Sequence, residues 1–293
     1  MRVLLTGGTG FIGRALADAL AAAGHTVTLV TRDPGRARGA AVGWDEVPAA
    51  VAAADAVVNL AGEPLAAGRW TDARKAEIRG SRVDATRRLV AAVAAAPSRP
   101  SVLVSASAVG YYGPHGDEPL DETAAPGEGF LAEVCRAWEA EAAPAEALGL
   151  RVVRLRFGLV LGRDGGALAR MLPPFRAFVG GALGSGAQWM SWIHRDDVVG
   201  LVLEALAKEA YRGPVNATAP HPVTNAEFTR VLGRILARPT VVRVPAAVLR
   251  LALGETADML LTGQRVLPAV AERLGYRWRY ADLVPALRAS VAR

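Results

Sequence analysis

Three glycines separated by two residues each, Gly7, Gly10 and Gly13, follow a short apolar run, Val3-Leu4-Leu5, near the start of the chain. Behind them Phe11, Ile12, Ala15, Leu16, Ala19 and Leu20 recur every three or four residues, as on one face of a helix. A strand that turns through bare glycines into a helix can hold a diphosphate. Backbone N–H groups at the helix N-terminus reach the oxygens only where no Cβ intervenes, and the helix dipole favours the negative charge. Gly13 lets the helix pack tightly against the strand. A glycine triplet alone is a weak signal, but its place between a strand and a helix makes it a dinucleotide-binding one.

The next chemical signal is Arg32, directly after the alternating run Thr26-Val-Thr-Leu-Val-Thr31. In a dinucleotide fold the adenosine ribose is read at this position. An acid there binds a 2′-hydroxyl, and an arginine accommodates a 2′-phosphate. The reading is NADP, with Asp33 able in principle to take the NAD role. A third strand over 55–62 ends in Leu60, Ala61 and Gly62, placed to lie flat against the adenosine and its linking phosphates. A fourth, Ser101 to Ser107, is apolar enough to be central and delivers Ser107 to its carboxyl end. Ser107 could hydrogen-bond a substrate hydroxyl or carbonyl, or cap a turn. Tyr112, with Tyr111 beside it, could donate a proton in a desolvated pocket or line it. Cys135, His115 and His194 read as a core thiol, a loop histidine and a buried structural histidine.

The elements that must position these groups alternate. Helical patterns lie near 11–23, 44–54, 70–96 and 129–148, between strands that end with 151–156. Such alternation implies right-handed crossovers and a doubly wound parallel sheet of the Rossmann type, an α/β fold. Glycine and proline thicken after Gly158. The division expected is a Rossmann domain over 1–157, with 188–212 returning to it. A smaller α/β lobe on the substrate side takes most of 158–293.

With 293 residues the chain can build such a core. One cysteine excludes an internal disulfide, and four scattered histidines form no metal cluster. Asp55, Asn59, Ser98 and Arg99 interrupt every apolar run before the ~18 residues a membrane span needs. The N-terminus is too poor in apolar residues for a signal peptide. Net charge is +6, but the arginines are mixed with Asp and Glu, as on solvated helix faces. The expectation is a cytoplasmic protein with no nucleic-acid or membrane partner and an unidentified small-molecule substrate. A homodimer is left open.

Together these motifs resemble the extended short-chain dehydrogenase/reductase family, whose best-known members are nucleotide-sugar epimerases. The resemblance lies in Thr6-Gly-Gly-Thr-Gly-Phe-Ile-Gly13, Asn59-Leu-Ala-Gly62, Ser105-Ala-Ser-Ala-Val-Gly-Tyr-Tyr-Gly113 and the approach Glu122 to Pro126. An atypical branch labelled "epimerase family protein" is similar over nearly the whole chain. It is matched by Arg156-Phe-Gly-Leu-Val-Leu-Gly162, Ser191-Trp-Ile-His-Arg-Asp-Asp197 and Asn216-Ala-Thr-Ala-Pro220. The resemblance implies cofactor contacts at Thr31, Arg32, Leu60, Ala61, Glu77, Arg82 and Val160. These would stand beside Gly7, Thr9, Gly10, Phe11, Ile12 and Gly13 of the glycine loop. It also exposes a departure. The family's Tyr-x-x-x-Lys pair, counted back from Glu139, falls on Leu131 and Cys135. The two lysines, Lys75 and Lys208, are preceded four residues earlier by Thr71 and Glu204. Redox or epimerase-like chemistry would therefore run without that pair, or the chain would be a non-catalytic, NADPH-dependent sensor or scaffold.

Overall fold

A computed structural model of the chain describes residues 1–163 and 165–292. The first half runs β1 (Arg2–Thr6), α1 (Phe11–Ala22), β2 (Thr26–Val30), β3 (Ala41–Val42), α2 (Val47–Ala53), β4 (Ala56–Asn59), α3 (Asp72–Ala95), β5 (Val102–Ala108), β6 (Pro119–Leu120), α4 (Phe130–Ala142) and β7 (Arg151–Phe157). The second half runs β8 (Leu159–Leu161), α5 (Gly166–Arg176), β9 (Gly181–Leu183), β10 (Trp189–Met190), β11 (Trp192–His194), α6 (Arg195–Ala207), β12 (Gly213–Ala217), β13 (Val223–Thr224), α7 (Asn225–Leu236), β14 (Val242–Val244) and α8 (Ala246–Leu253). It closes with α9 (Asp258–Leu261), β15 (Arg265–Val266), α10 (Ala269–Arg273) and α11 (Leu283–Val291).

Seven strands form the central sheet in the order β12-β7-β5-β4-β1-β2-β3, and every pairing in it is parallel. The chain leaves β1 toward β2 and β3, then returns to β4 on the opposite side. The carboxyl ends of β1 and β4 are therefore the switch point, where an open parallel sheet leaves a ligand crevice. Strand alternation divides the core in two. Val3, Leu5, Ala56, Val58, Val102, Val104, Val153 and Leu155 face α1 and α6. Leu4, Val57, Leu103 and Val152 face α2, α3 and α4. A slip of one residue in any strand would exchange these faces, so the register is strongly specified.

The edge strand on the β7 side is β12. Within 188–212, α6 packs Val198, Leu201, Val202 and Ala205 into the core shared with β1, β4, β5 and β7. The apolar stretch over 189–194 forms two short strands, β10 and β11, divided at Ser191. That hydroxyl donates to the Gln264 carbonyl (2.7 Å) and accepts the Val266 N–H (2.9 Å), so the break point is bonded to the segment around β15. β10 pairs with β13 and β11 with β8, both outside the main sheet. A second core, with Trp192, Phe175, Phe228, Leu232 and Leu287, fills the smaller lobe.

α6 supports α1 from below and is capped by an imidazole. His194 is buried and its Nδ1 accepts the Asp196 N–H at 3.2 Å, while its ring stacks on Tyr280 at 4.1 Å. Burial lowers the His194 pKa, Arg195 and Arg279 lower it further, and Asp196 opposes them. A protonated ring would lose the lone pair that caps the helix. The neutral ring's contribution to stability is complete above the unfolded value of about 6.5 and is lost as pH falls through the lowered folded value. Thermal unfolding across pH 7.5 to 5 should show this as a decline below about 6.5. His194→Asn, which keeps a capping acceptor, should flatten that part of the curve. Parallel curves for the two proteins would refute the assignment.

Candidate functional site: a crevice at the sheet switch point

β1 ends in Thr6, and the turn after it presses directly on the loop after β4. Gly7 has φ +67°, and a Cβ there would lie 2.4 Å from the Leu60 carbonyl oxygen. A Cβ on Gly13 would lie 2.1 Å from the Gly7 carbonyl oxygen. Both positions exclude any side chain. Gly10 is different. It is exposed, precedes α1 and donates its N–H to Gly7 at 3.0 Å. A Cβ on it would meet only the Gly7 oxygen, at 3.2 Å, and would otherwise project into the open approach to the helix. No side chain caps α1, so the N–H groups of Phe11, Ile12 and Gly13 lack an intrahelical carbonyl. This cradle fits a diphosphate, and a single methyl group would partly fill it.

Polar side chains hold the cradle in place from beneath. The Thr6 hydroxyl donates to Asn59 Oδ1 at 2.7 Å and accepts the N–H groups of Leu60 and Ala61 at 3.2 Å each. Asn59 Nδ2 donates to Thr86 Oγ1 at 2.7 Å. Trp138 Nε1 donates to the same oxygen at 2.9 Å, and Thr86 donates onward to the Arg82 carbonyl. Thr6, Asn59 and Thr86 are fully buried. Thr86 and Trp138 escaped the sequence reading in this role. Their signal was weak, one hydroxyl and one indole on apolar helix faces.

The other expected cofactor residues gather around this cradle in part. Leu60, Ala61 and Gly62 form its second wall. Gly62 faces the Arg82 guanidinium so closely that a Cβ would stand 3.1 Å from its Cζ. Arg82 donates to the carbonyls of Ile78 and Glu63 at 3.0 Å each and lies over the Trp138 ring; burial lowers its pKa. Phe11 fits under the segment after β8: Cβ atoms on Gly162, Gly165 and Gly166 would fall 2.4 to 2.9 Å from its ring. The carbonyl of Val160, in β8, lies close under this segment, 3.0 Å from where a Cβ on Gly166 would stand. The Thr31 hydroxyl accepts the Asp33 N–H at 3.3 Å. Arg32 stands out in solvent with Glu63 3.5 Å away, and Glu77 is exposed and paired with Arg74 at 2.7 Å. Asp33 turns to Arg36, at 3.3 Å. Among the described residues no group of three His, Cys, Asp or Glu side chains could hold a metal ion, and no helix is long and apolar enough to cross a membrane.

Ser107 and Tyr112 meet in one buried network. Ser107 donates to Glu139 Oε1 at 2.7 Å. Arg156 grips both Glu139 oxygens, at 2.8 and 2.9 Å, and donates to the Tyr112 hydroxyl at 2.9 Å. Tyr112 donates to Asn216 Oδ1 at 2.7 Å, and the Asn216 N–H reaches Glu122 Oε1 at 2.9 Å. Both hydroxyl protons are thus spent inside the protein rather than presented to the crevice. Burial pushes Tyr112 up to about 12 and raises Glu122. Burial works against the charge of Arg156, but Glu139 and Tyr112 outweigh it and its pKa rises. Next to this network Leu131 and Cys135 face Gly110, whose Cβ would lie 3.3 and 3.8 Å from their Cβ and Sγ. Burial, with Glu139 nearby, pushes the Cys135 thiol up to about 12, so it stays protonated and unreactive.

The bidentate Arg156–Glu139 pair has side chains only 3% and 9% exposed. Glu139→Ala would strand a buried guanidinium, and urea unfolding should show a loss of roughly 3–5 kcal/mol. The double replacement Glu139→Leu with Arg156→Met should cost clearly less than the sum of its single changes. Additive losses would show that the two groups do not act as a pair.

Residues 3–217 match the model of the NAD dependent epimerase/dehydratase family, and residues 244–290 match a domain of unknown function. The chain is 42% identical over 299 residues to the epimerase family protein SDR39U1 of Homo sapiens, covering all of both chains. It is 45% identical over 301 residues to the Arabidopsis thaliana "SDR39U1 homolog, chloroplastic", covering 99% of this chain and 86% of that one. The crystal structure of human SDR39U1 (isoform 2) with NADPH superposes with a TM-score of 0.91 at 38% identity, over 99% of each chain. The family match over most of the chain, the full-length identities and the close superposition place the chain in the NAD-dependent epimerase/dehydratase family, as an atypical extended short-chain dehydrogenase/reductase.

Proposed function

We propose that this chain binds NADP(H) across the switch point and is an epimerase-like oxidoreductase whose chemistry runs without a Tyr-x-x-x-Lys pair. One observation carries the reading: the bare turn at Gly7–Gly13, with N–H groups open at the start of α1 and a Cβ position at Gly10 that opens onto the approach. The similarity to a human protein crystallised with NADPH supports it. Gly7, Thr9, Gly10, Phe11, Ile12 and Gly13 hold the diphosphate. Leu60, Ala61 and Gly62 line the adenosine, with Thr31, Glu77, Arg82 and Val160 around it. Arg32 receives the 2′-phosphate, and the turn of Asp33 toward Arg36 favours NADP over NAD. The cofactor, when bound, supplies hydride chemistry, and the protein orients it.

For Ser107 and Tyr112 the network suggests a different part from direct proton transfer. Ser107, held by Glu139, and Tyr112, held by Arg156 and Asn216, are positioning residues that brace the loop after β5. Residues 158–293, apart from α6 and β12, form the substrate side. The same commitment of both hydroxyls favours a second reading, a cofactor-dependent sensor or scaffold. Leu131 and Cys135, where the family's acid and lysine would stand, favour it too. The two separate on stereospecific exchange of the NADPH C4 hydrogen with members of a metabolite panel: exchange supports the enzyme, and none across the panel supports the sensor.

The cofactor assignment has its own test. NADPH at 100 times its Kd should stabilise the protein by about 2.7 kcal/mol in thermal unfolding. Gly10→Ala should leave the unfolding temperature of the free protein nearly unchanged, because the Gly7 carbonyl need yield only a few tenths of an ångström. The same change should weaken NADPH at least tenfold by placing a methyl in the diphosphate path. A wild-type protein that responds to neither NADPH nor NADH would end the reading.

A further inference from the structure

Glu63 stands between Arg32, just after β2, and the start of α3. Both its backbone polar groups are held. Its N–H donates to Ser81 Oγ at 3.0 Å, and its carbonyl accepts from Arg82 Nη2 at 3.0 Å. Its backbone is anchored, and its carboxylate is presented to two guanidinium groups. Oε1 lies 3.5 Å from Arg32 Nη1 and Oε2 lies 3.9 Å from Arg74 Nη1. Arg74 is committed elsewhere, to Glu77 at 2.7 Å and to the Pro64 carbonyl, with a side chain only 16% exposed. Arg32 is 86% exposed. Of the two arginines, Arg32 is the one a ligand can claim, and Glu63 already leans on it.

We propose that Glu63 is a specificity-determining residue for the nucleotide, holding down the preference for a 2′-phosphorylated dinucleotide over its unphosphorylated form. The proposal rests on the NADP(H) reading above. A phosphate monoester brings a charge of roughly −1.5 to −2. To reach Arg32 it must displace the Glu63 carboxylate and then lie near it, because the bonds to Ser81 and Arg82 anchor the Glu63 backbone beside Arg32 and leave the side chain only its own length to withdraw. A ribose with a plain 2′-hydroxyl meets no such repulsion. Arg32 and Glu63 thus oppose each other in selectivity, and the strength of NADP preference is set by both.

The test measures Kd for NADPH and for NADH by fluorescence titration of the reduced nicotinamide. It uses the full chain and the variants Glu63→Gln, Arg32→Ala and the double variant. Glu63→Gln should tighten NADPH by about three- to tenfold, the scale of a partly exposed charge pair with like-charge repulsion added. NADH should stay within twofold. The NADPH gain should shrink in 1 M NaCl, where charges a few ångströms apart are screened. It should also shrink when Arg32 is already alanine. If Glu63→Gln proves unfolded by circular dichroism, Glu63→Asp, which withdraws the charge from Arg32, should show the same direction with a smaller gain. Equal shifts for both nucleotides, no shift, or a loss confined to NADH would overturn the role of Glu63 while leaving the cofactor reading intact. A wild-type chain that binds neither nucleotide would overturn both.

Discussion

The hydroxyl of Thr6 joins the end of β1 to the end of β4, and the crevice depends on that junction. It donates to Asn59 and receives two N–H groups from the loop beyond. These strands pair directly, with Thr6 opposite Asn59, on either side of the point where the sheet reverses its winding, and the hydroxyl carries that register into the loops beyond. With the junction closed, Gly7 rests against the Leu60 carbonyl at a separation that admits no side chain. The bare turn, the adenosine wall and the N-terminus of α1 then fall into one concave surface. Burying these polar atoms is tolerable because their hydrogen bonds are made: Asn59 passes its amide to Thr86, and Thr86 takes a second bond from Trp138. Two strands and two helices are thereby indexed to each other by directional bonds, where apolar packing alone would allow sliding.

A second buried network holds the far side of the crevice, and its energetic character differs. Glu139 and Arg156 are charged, and removing them from water is costly. The bidentate geometry, together with bonds from Ser107 and to Tyr112, recovers much of that cost. Apolar side chains of the same volume could be equally stable. The pair adds a fixed orientation for the loop after β5, since it ties α4 to β7 and, through Asn216, to β12. The Arg156 guanidinium also lies 3.5 Å over the Tyr111 ring, so the same cation holds a second aromatic of the loop after β5.

At the loop after β4 the smaller lobe is fastened through backbone groups. Arg69 donates to the carbonyls of Leu251 and Ala252 at the end of α8, and the Trp70 N–H reaches Thr256 Oγ1 at 2.9 Å. The loop that begins with Leu60-Ala61-Gly62 is therefore fastened to the C-terminal lobe at its far end. An ion pair between Lys75 and Glu255 adds to the seam, and Trp70 makes an edge-on contact with Phe130 on its own side of it. Polar seams of this kind open at lower cost than buried apolar ones.

Local pattern was enough to expect the parallel sheet and the glycine turn. Val3-Leu4-Leu5 and Ala56-Val57-Val58 are apolar on both faces because both faces are covered. The period then changes at Gly10 from that of a strand to that of a helix, and such signals lie within a few residues of one another. The place of Arg32 at a strand end was legible for the same reason. What could not be read was any property that depends on residues far apart in the chain. Nothing near Ser107 or Tyr112 reveals that their protons go to Glu139 and Asn216, 32 and 104 residues away. The membership of β12 in the sheet, the break at Ser191 and the approach of Glu63 to Arg32 are of the same kind. Sequence alone determined which backbone segments could approach an anion, because that depends on missing side chains and local period. Tertiary structure alone decided which polar groups remain available to a ligand, because a hydrogen bond or an ion pair is spent on whichever partner the fold brings within reach.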